Sequence, residues 1–428
     1  MGPLLTFPHD GPPPMLSTEL LLLSAYTAAG PLAWAGFGFL MYAGQRKMYL
    51  LKRPPKPLPP EFADDPPSVT IIVPAKDEGE RIRACIESCL SQDYPRLDVV
   101  TIDDRSVDET GRVMDDIAAK WGGKHRVLHV QEGTLEPGWT GKNNAVYQGQ
   151  KLATGDWLLF VDSDVVLEPD AVSASMSVVL NKKFDLLSLL PRLESHTFWE
   201  TTLVPLAASA ASTMYLVPLC NNNQMKRTAF ANGQFLLIRR DVYDAMGTHA
   251  VVKDRYCEDV AIARLLKSSG YRPRVSWGND WARVRMYSSL SAIFKGWSRI
   301  YYSAYVGRPW RTLVAAAFLI VCCFTAAPAV AWGVWRVAHP TASPWLTYGW
   351  LAAAVAHVGL MVKFLGDLYA WSGNPRRNAL FFPVAGPMLL GIMVKALKMC
   401  VTKRVEWRGT SYGHTMASTL NAPVPGKG

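Results

Sequence analysis

"LLFVDSDVV", residues 158–166, drives an apolar run that begins at Trp157 into two carboxylates, Asp162 and Asp164, one residue apart. In an extended chain residues i and i+2 share a face, so the spacing predicts both aspartates on one side of a strand's carboxyl end. Two like charges there repel unless a cation sits with them. Asp and Ser also close strands through local side-chain to backbone bonds, and the pair alone admits that ordinary reading. The other reading is a hard divalent cation, Mg2+ or Mn2+, shared between carboxylates and the phosphates of a substrate.

The surrounding sequence favours the cation. "SVTIIVPAKDEGERIRACIESCL" (68–90) reads as a β-branched strand, a break at Pro74, and a helix with Ile82, Ile86 and Leu90 on one face. "LDVVTIDDRSVDETGRVMDDIAAKW" (97–121) repeats strand, acidic turn and helix, and "HRVLHVQEG" (125–133) precedes a helix carrying "GKNNAVYQGQKLA" (141–153). Strands alternating with helices at this spacing predict an α/β fold, Rossmann-like, with a mainly parallel sheet covered on both faces. Ligands of such sheets bind beyond the carboxyl ends of the strands. Three acidic ends fall there: Pro74 to Glu78, Asp103 with Asp104, and Asp162 to Asp164. Further on, "ANGQFLLIRRDVYDAMG" (231–247) predicts a Gly-bearing turn, a strand and a helix. "DRYCEDVAIARLLKSSGY" (254–271) sets Glu258 and Asp259 at the head of an amphipathic helix. Acidic residues commonly occupy that position for the sake of the helix dipole alone.

The rest of the chain is partitioned toward lipid. Of 428 residues, 49% are hydrophobic and only 19% charged, too apolar for one ordinary soluble domain of this length. Leu20 to Gly44 and Thr312 to Trp335 predict membrane spans, and Trp345 to Leu365 a third with an internal Lys363. Ala379 to Met399, with Lys395, Pro383 and Pro387, predicts a span or a re-entrant hairpin. No Lys or Arg precedes Arg46, whereas Arg46, Lys47, Lys52, Arg53 and Lys56 follow the first segment, which places the following region in the cytoplasm. The first segment lacks the basic leader of a cleaved signal and reads as an anchor. Four full spans would return the C-terminus outside, yet Lys403, Arg404 and Arg408 argue for a cytoplasmic tail; the two expectations conflict and favour a fourth segment that is a hairpin or interfacial. The net charge of +10 clusters beside apolar segments, which points to an anionic membrane surface and not to nucleic acid. Seven cysteines without paired CxxC spacing read as packing residues in a reducing compartment, with no structural zinc.

Six ordered motifs, "VPAKDE", "IDDRSVDET", "GWTGKNNA", "FVDSDV", "NGQFLLIRR" and "CEDVAIARLLKSSGY", resemble those of glycosyltransferase family 2, over roughly residues 68–302. The resemblance implies a GT-A fold and a metal-dependent, inverting transfer of sugar from a nucleotide-sugar donor, UDP-linked in the first instance. Within the family the "GWTGK" loop and flanking spans are most similar to bacterial hopanoid-associated, carotenoid and ceramide-type enzymes, which implies a membrane lipid as acceptor. Carried over by position, Pro74, Ala75 and Glu78 would line the nucleoside pocket, and Asp104 or Asp103 would bind uracil or ribose. Lys142 would neutralise the diphosphate, as a lysine beside a helix N-terminus can. Asp162 and Asp164 match the metal-binding pair, with Asp164 the direct ligand, and Gly233 and Gln234 fall in the donor-binding "NGQ". Asp259, preceded by Glu258, matches the general base.

One departure bears on product length. Processive members carry Q-x-x-R-W after this helix, and here "FKGWSRIYY" (294–302) aligns Arg299 with the arginine but Gly296 and Ile300 with the other two positions. A single transfer is therefore favoured. Trp297 and Arg299 would contact substrate or anchor at the interface. "TLVPLAASAASTMYLVPLC" (202–220), uncharged throughout, reads as a buried helix or an interfacial element beside the acceptor. Trp407 and Tyr412 in "VEWRGTSYG" suit the headgroup layer.

The expected organisation is an anchor (1–45), a basic Pro-rich linker (46–67), a GT-A domain (68–302), a C-terminal membrane region (303–400) and a tail (401–428). The chain is expected in a bacterial-type inner membrane with its catalytic domain cytoplasmic. The rivals are a processive polysaccharide synthase and a catalytically silent nucleotide-sugar-binding scaffold.

Overall fold

The computed structural model describes residues 14–402 apart from 132, 134, 226–227, 305–308 and 341–342, together with the backbone of two short paired strands at 405–407 and 410–412. The expectations placed on Lys403, Arg404, Arg408, Trp407 and Tyr412 concern side chains outside that description.

Eight strands form one sheet: β1 (Val69–Ala75), β2 (Leu97–Asp104), β3 (His125–Val130), β4 (Trp157–Val161), β5 (Val165–Leu167), β6 (Leu186–Leu193), β7 (Phe235–Arg239) and β8 (Pro273–Val284). Their order is 3-2-1-4-7-6-8-5. The first four are parallel to one another, as are β6 and β8. β7 runs antiparallel between β4 and β6, and β5 antiparallel to β8. This is the GT-A type of sheet, mostly parallel and mixed on one side.

Every residue of β1 is buried because helices cover both faces, the usual reason a parallel strand reads as an unbroken apolar run. Alternate residues feed two cores. Val69, Ile71 and Val73 meet α3 (Ile82–Leu90) and α4 (Thr110–Trp121). Ile72, Val100, Ile102 and Leu158 meet α5 (Gly141–Gly149) and α9 (Glu258–Ser268). α6 (Ala171–Lys182) belongs to the first layer and the short α8 (Arg240–Ala245) to the second. Gly149 lets α5 lie on the sheet, since a Cβ there would stand 2.4 Å from the Ile102 side chain.

A third core joins the sheet domain to the apolar helices. It contains α7 (Phe198–Met214), α10 (Leu290–Ala304) and the helices that flank the domain in sequence. Upstream lie α1 (Pro14–Thr27) and α2 (Ala33–Gln45), fused through a π-turn at Ala28–Leu32. Downstream lie α11 (Pro309–Leu319) and α12 (Ala326–Ala338), joined the same way, then α13 (Pro344–Trp371) and α14 (Phe382–Thr402). Four segments are long and apolar enough to cross a membrane: Thr18–Met48, Pro309–Ala338, Pro344–Trp371 and Arg376–Thr402.

Three of the four run alongside one another. Tyr26 packs near Trp350 and His357, Trp34 stacks on Phe364, and Tyr42 meets Trp371 edge-on, so the first and third segments are parallel. The second opposes them: Arg336 at its far end pairs with Glu19 at 2.6 Å, and His357 meets the Cys322 carbonyl midway. The fourth behaves differently. It is a single helix through Pro387 and not the hairpin offered as an alternative, because a proline's missing N–H and bulk kink a helix without obliging it to reverse. Arg376 before it pairs with Asp367 at 3.0 Å near the domain end of α13. It then lies along α10, with Gly391 against Phe294, Ile392 accepting from Ser298 and Cys400 beside Tyr302. Its first turns, through Phe382 and Gly386, meet Phe324 midway along the second segment.

All seven cysteines are free thiols, six of them buried, as packing residues should be.

Candidate active site

The carboxyl ends of β1, β2 and β4 lie side by side, with Ala75 opposite Asp103 and Ile72 opposite Phe160. The cleft beyond them has a volume of about 380 Å³ and is lined by Pro74, Ala75, Glu78, Asp104, Lys142, Asp162, Asp164, Gln234 and Arg299. These are nine of the residues singled out in the sequence, drawn from six separate segments. Asp103 is not among them. Side chains alternate along β2, so Asp104 faces the cleft and Asp103 turns away to accept from Ser106 N and to pair with His129 at 3.0 Å.

The two aspartates of the opening motif are not on an extended strand as expected. β4 ends at Val161, and Val165 N–H donates to the Asp162 carbonyl at 3.1 Å, closing a tight turn over Ser163 and Asp164. Both carboxylates reach the cleft from that turn. Burial, then the charges of Asp162 and Glu78, pushes the Asp164 carboxyl up to about 7. Such a pair, with Glu78 close by, is a donor set for a hard cation that completes its coordination with substrate oxygens. Among the described residues no group of three ligands forms a closed cage.

Lys142 stands in the first turn of α5, which Thr140 caps by accepting from Asn143 N. Its ammonium bridges Asp162 at 2.7 Å and Glu258 at 2.8 Å. Burial alone would lower its pKa, but the two carboxylates outweigh that and hold it well above the usual lysine range. Glu258 and Asp259 open α9. Asp259 accepts from Gly233 N–H and Val260 N–H, each at 2.7 Å. Burial, then the neighbouring Glu258, pushes its carboxyl up to about 7 against the pull of Lys142 and these two amides. A Cβ on Gly233 would sit 3.2 Å from the Lys142 ammonium, so glycine leaves room for the whole cluster.

Gly233, Glu258 and Asp259 face a second cavity of about 290 Å³, which shares Lys142, Asp162, Gln234 and Met286 with the first. Its remaining walls are mostly apolar and come from α2, α7, α10 and α13 together with β6, Trp277 and the segments around Val217, Phe230 and Tyr256. α10 serves both cavities: Arg299 enters the first and Trp297 the second. The uncharged stretch 202–220 supplies α7 and, as one of its two expected readings, is a buried helix beside the site.

Several cleft residues were not singled out in the sequence. Tyr287 hydrogen-bonds to Arg299, and its phenol is pushed up to about 12 by burial. Arg81 and Arg105 add two cations, and Arg105 pairs with Asp104 at 2.8 Å from a left-handed backbone (φ 57°). Arg105 lies inside the "IDDRS" motif and could have been named from it. Tyr287 follows β8 in a stretch without a motif, and only the tertiary fold brings it here.

Known proteins identify the family of this chain. A model of the family described as glycosyltransferase like family 2 matches residues 66–296, more than half the chain. The 4,4'-diaponeurosporenoate glycosyltransferases of Staphylococcus aureus strains are similar, at 29% identity over 235 residues for strain USA300 and 28% for strain MRSA252. The match covers 54% of this chain and 60% of those relatives. Among solved structures, a mannosyltransferase from Pyrobaculum calidifontis in complex with GDP-Man and Mn2+ is 19% identical, over 89% of this chain and 99% of its own, with a TM-score of 0.49. With the family's model matched across the whole sheet domain, the chain belongs to the family 2-like glycosyltransferases.

Proposed function

We propose that the protein transfers a single sugar from a nucleotide-sugar, in the first instance a UDP-sugar, to a hydroxyl of a membrane lipid with inversion at the anomeric carbon. One observation carries this reading: a charged cleft and an apolar cavity meet at Asp162, Lys142, Gln234 and Met286, with Glu258 and Asp259 on the apolar side, and that cavity is walled in part by helices long enough to enter a bilayer. The staphylococcal relatives, named for the acceptor 4,4'-diaponeurosporenoate, support an acceptor of lipid character.

The donor's nucleoside lies along Pro74, Ala75, Glu78 and Asp104, and its diphosphate faces Lys142, Arg299 and the N-terminus of α5. Asp162 and Asp164 would hold Mg2+ or Mn2+, which supplies charge neutralisation for the leaving diphosphate. The acceptor hydroxyl enters from the apolar cavity. Its oxygen attacks the anomeric carbon from the face opposite the diphosphate, Asp259 takes its proton, and the carbon–oxygen bond to the nucleoside diphosphate breaks. Gly233 and Val260 N–H hold the base in place, and Lys142 ties Glu258 to the donor side. The basic residues after the first segment support a cytoplasmic catalytic domain, and the bacterial relatives support a bacterial-type inner membrane.

The test is release of nucleoside diphosphate from UDP-, GDP- and dTDP-sugars by protein purified in native lipid, with metal or chelator, beside Asp259→Asn. Metal-dependent turnover of one donor, lowered at least about a hundredfold in the variant, is expected. Turnover that survives Asp259→Asn would overturn the assignment of the base.

A further inference from the structure

Between the two cavities runs a short segment that no motif marks, residues 285–287, and the inference drawn from it rests on the nucleotide-donor reading above. Arg285 forks onto both carboxylate oxygens of Glu200 at 3.0 Å. Glu200 is fully buried in the first turn of α7, where it also accepts from His196 N–H and the Thr197 hydroxyl. Arg81, from the donor cleft, donates to the Arg285 carbonyl at 3.4 Å. Met286 then lines both cavities, and Tyr287 lines the donor cleft. A bidentate ion pair and a backbone hydrogen bond thus fix the segment from both sides, which gives the Tyr287 ring a set place.

That place is against α10. A Cβ on Gly296 would stand 2.1 Å from the Tyr287 Cζ and its hydroxyl oxygen. Alanine is the better residue inside a helix, so the glycine here is explained by the ring packed on it. Position 296 is also where the processive motif has glutamine, and no glutamine fits beneath this ring. One turn further along α10, Arg299 donates to the phenol oxygen, since a guanidinium has no acceptor to offer. Sheet order decides which part of a donor this pair meets. β2, which bears Asp104, lies on one side of β1 and β4, whereas Tyr287 and Arg299 follow β8 on the other. A donor whose nucleoside lies at Asp104 presents its distal phosphate to Arg299.

We propose that Tyr287 is a positioning residue, whose phenol holds the Arg299 guanidinium on the distal, leaving phosphate of the nucleoside diphosphate, in a place that Gly296 keeps open. Without the phenol oxygen the long arginine side chain regains rotamers that point elsewhere, and the diphosphate loses a fixed partner.

The experiment measures binding of UDP and UMP, with Mn2+, to the full chain in lipid nanodiscs; GDP and GMP replace them if the unaltered protein binds the guanosine pair more tightly. The monophosphate lacks the distal phosphate, so it reports folding and the nucleoside pocket alone. Arg299→Ala should weaken the diphosphate about ten- to a hundredfold, the range for hydrogen bonds to a charged group, and leave the monophosphate within about twofold. Tyr287→Phe keeps the ring and removes only the oxygen, and should weaken the diphosphate about three- to tenfold with the monophosphate unchanged. Gly296→Ala should reproduce that selective loss by displacing the ring. Tyr287→Phe combined with Arg299→Ala should bind the diphosphate no more weakly than Arg299→Ala does, because the tyrosine acts through the arginine. Unaltered diphosphate binding in Tyr287→Phe or Gly296→Ala, equal losses for diphosphate and monophosphate, or additive losses in the double variant would overturn the inference. Failure of the donor reading looks different and would sink both: the unaltered protein would then bind neither diphosphate more tightly than its monophosphate.

Discussion

Asp259 illustrates what a single residue's surroundings decide. A carboxylate at a helix N-terminus is ordinarily stabilised by the dipole and by backbone N–H groups, both of which lower its pKa. Here burial and the adjacent Glu258 win, and the carboxyl is held near 7. A base must be deprotonated to work, so kcat/KM should rise as pH climbs toward about 7, level off above it, and fall about tenfold per unit well below it. A profile flat from pH 5 to 8 would exclude Asp259 as the titrating base. This cluster was largely legible in the sequence, because ordered motifs name Asp162, Asp164, Lys142 and Asp259 without any coordinates. The choice between Asp103 and Asp104 was not. Strand alternation says that only one faces the cleft, but which one depends on register against β1. The Lys142 bridge to Glu258 was also illegible, since 116 positions separate residues that meet at 2.8 Å.

At the scale of elements, the site depends on how α2 meets the catalytic domain. Gly44 in its last turn lies against the segment Val217–Leu219, and an added Cβ would stand 2.1 Å from the Pro218 carbonyl oxygen. Backbone cannot give way as a flexible side chain can, so Gly44→Ala must push the first segment outward and displace Gln45 and Met41 from the apolar cavity. Destabilisation of about 1–3 kcal/mol is expected, read as a lower unfolding temperature in detergent, together with weaker transfer at unchanged UDP affinity. Gly36→Ala, which meets nothing within 4 Å, is the control and should be neutral. An unaltered unfolding temperature for Gly44→Ala would contradict this packing. Strand and helix periodicity exposed the βαβ units well. It could not show β7 inserted antiparallel between β4 and β6, because a buried strand reads as the same apolar run in either direction. It also could not divide α10 between two cavities, as a helix's faces acquire meaning only from what surrounds them.

For the whole molecule, the conflict between span count and tail charge turns on the fourth segment. The fourth segment is apolar enough to cross, and it also packs along α7, α10 and α11. Hydropathy measures affinity for an apolar environment and does not distinguish lipid from the third core that this segment completes. In intact cells an impermeant maleimide should label His339→Cys, between the second and third segments. It should spare both Lys398→Cys and the catalytic-domain marker Val107→Cys until the membrane is opened. Labelling of position 398 together with 339 would mean that the fourth segment spans. A charged cleft beside an apolar cavity, framed in part by helices long and apolar enough to cross a membrane, is the basis for proposing transfer of one sugar to one lipid. The most direct measurement is the mass of lipid products in membranes containing the protein or Asp259→Asn, supplied with isotopically labelled nucleotide-sugar. One new lipid, heavier by a single sugar and missing in the variant, is expected; a ladder of longer products, or the same product from Asp259→Asn, would contradict single transfer by this base.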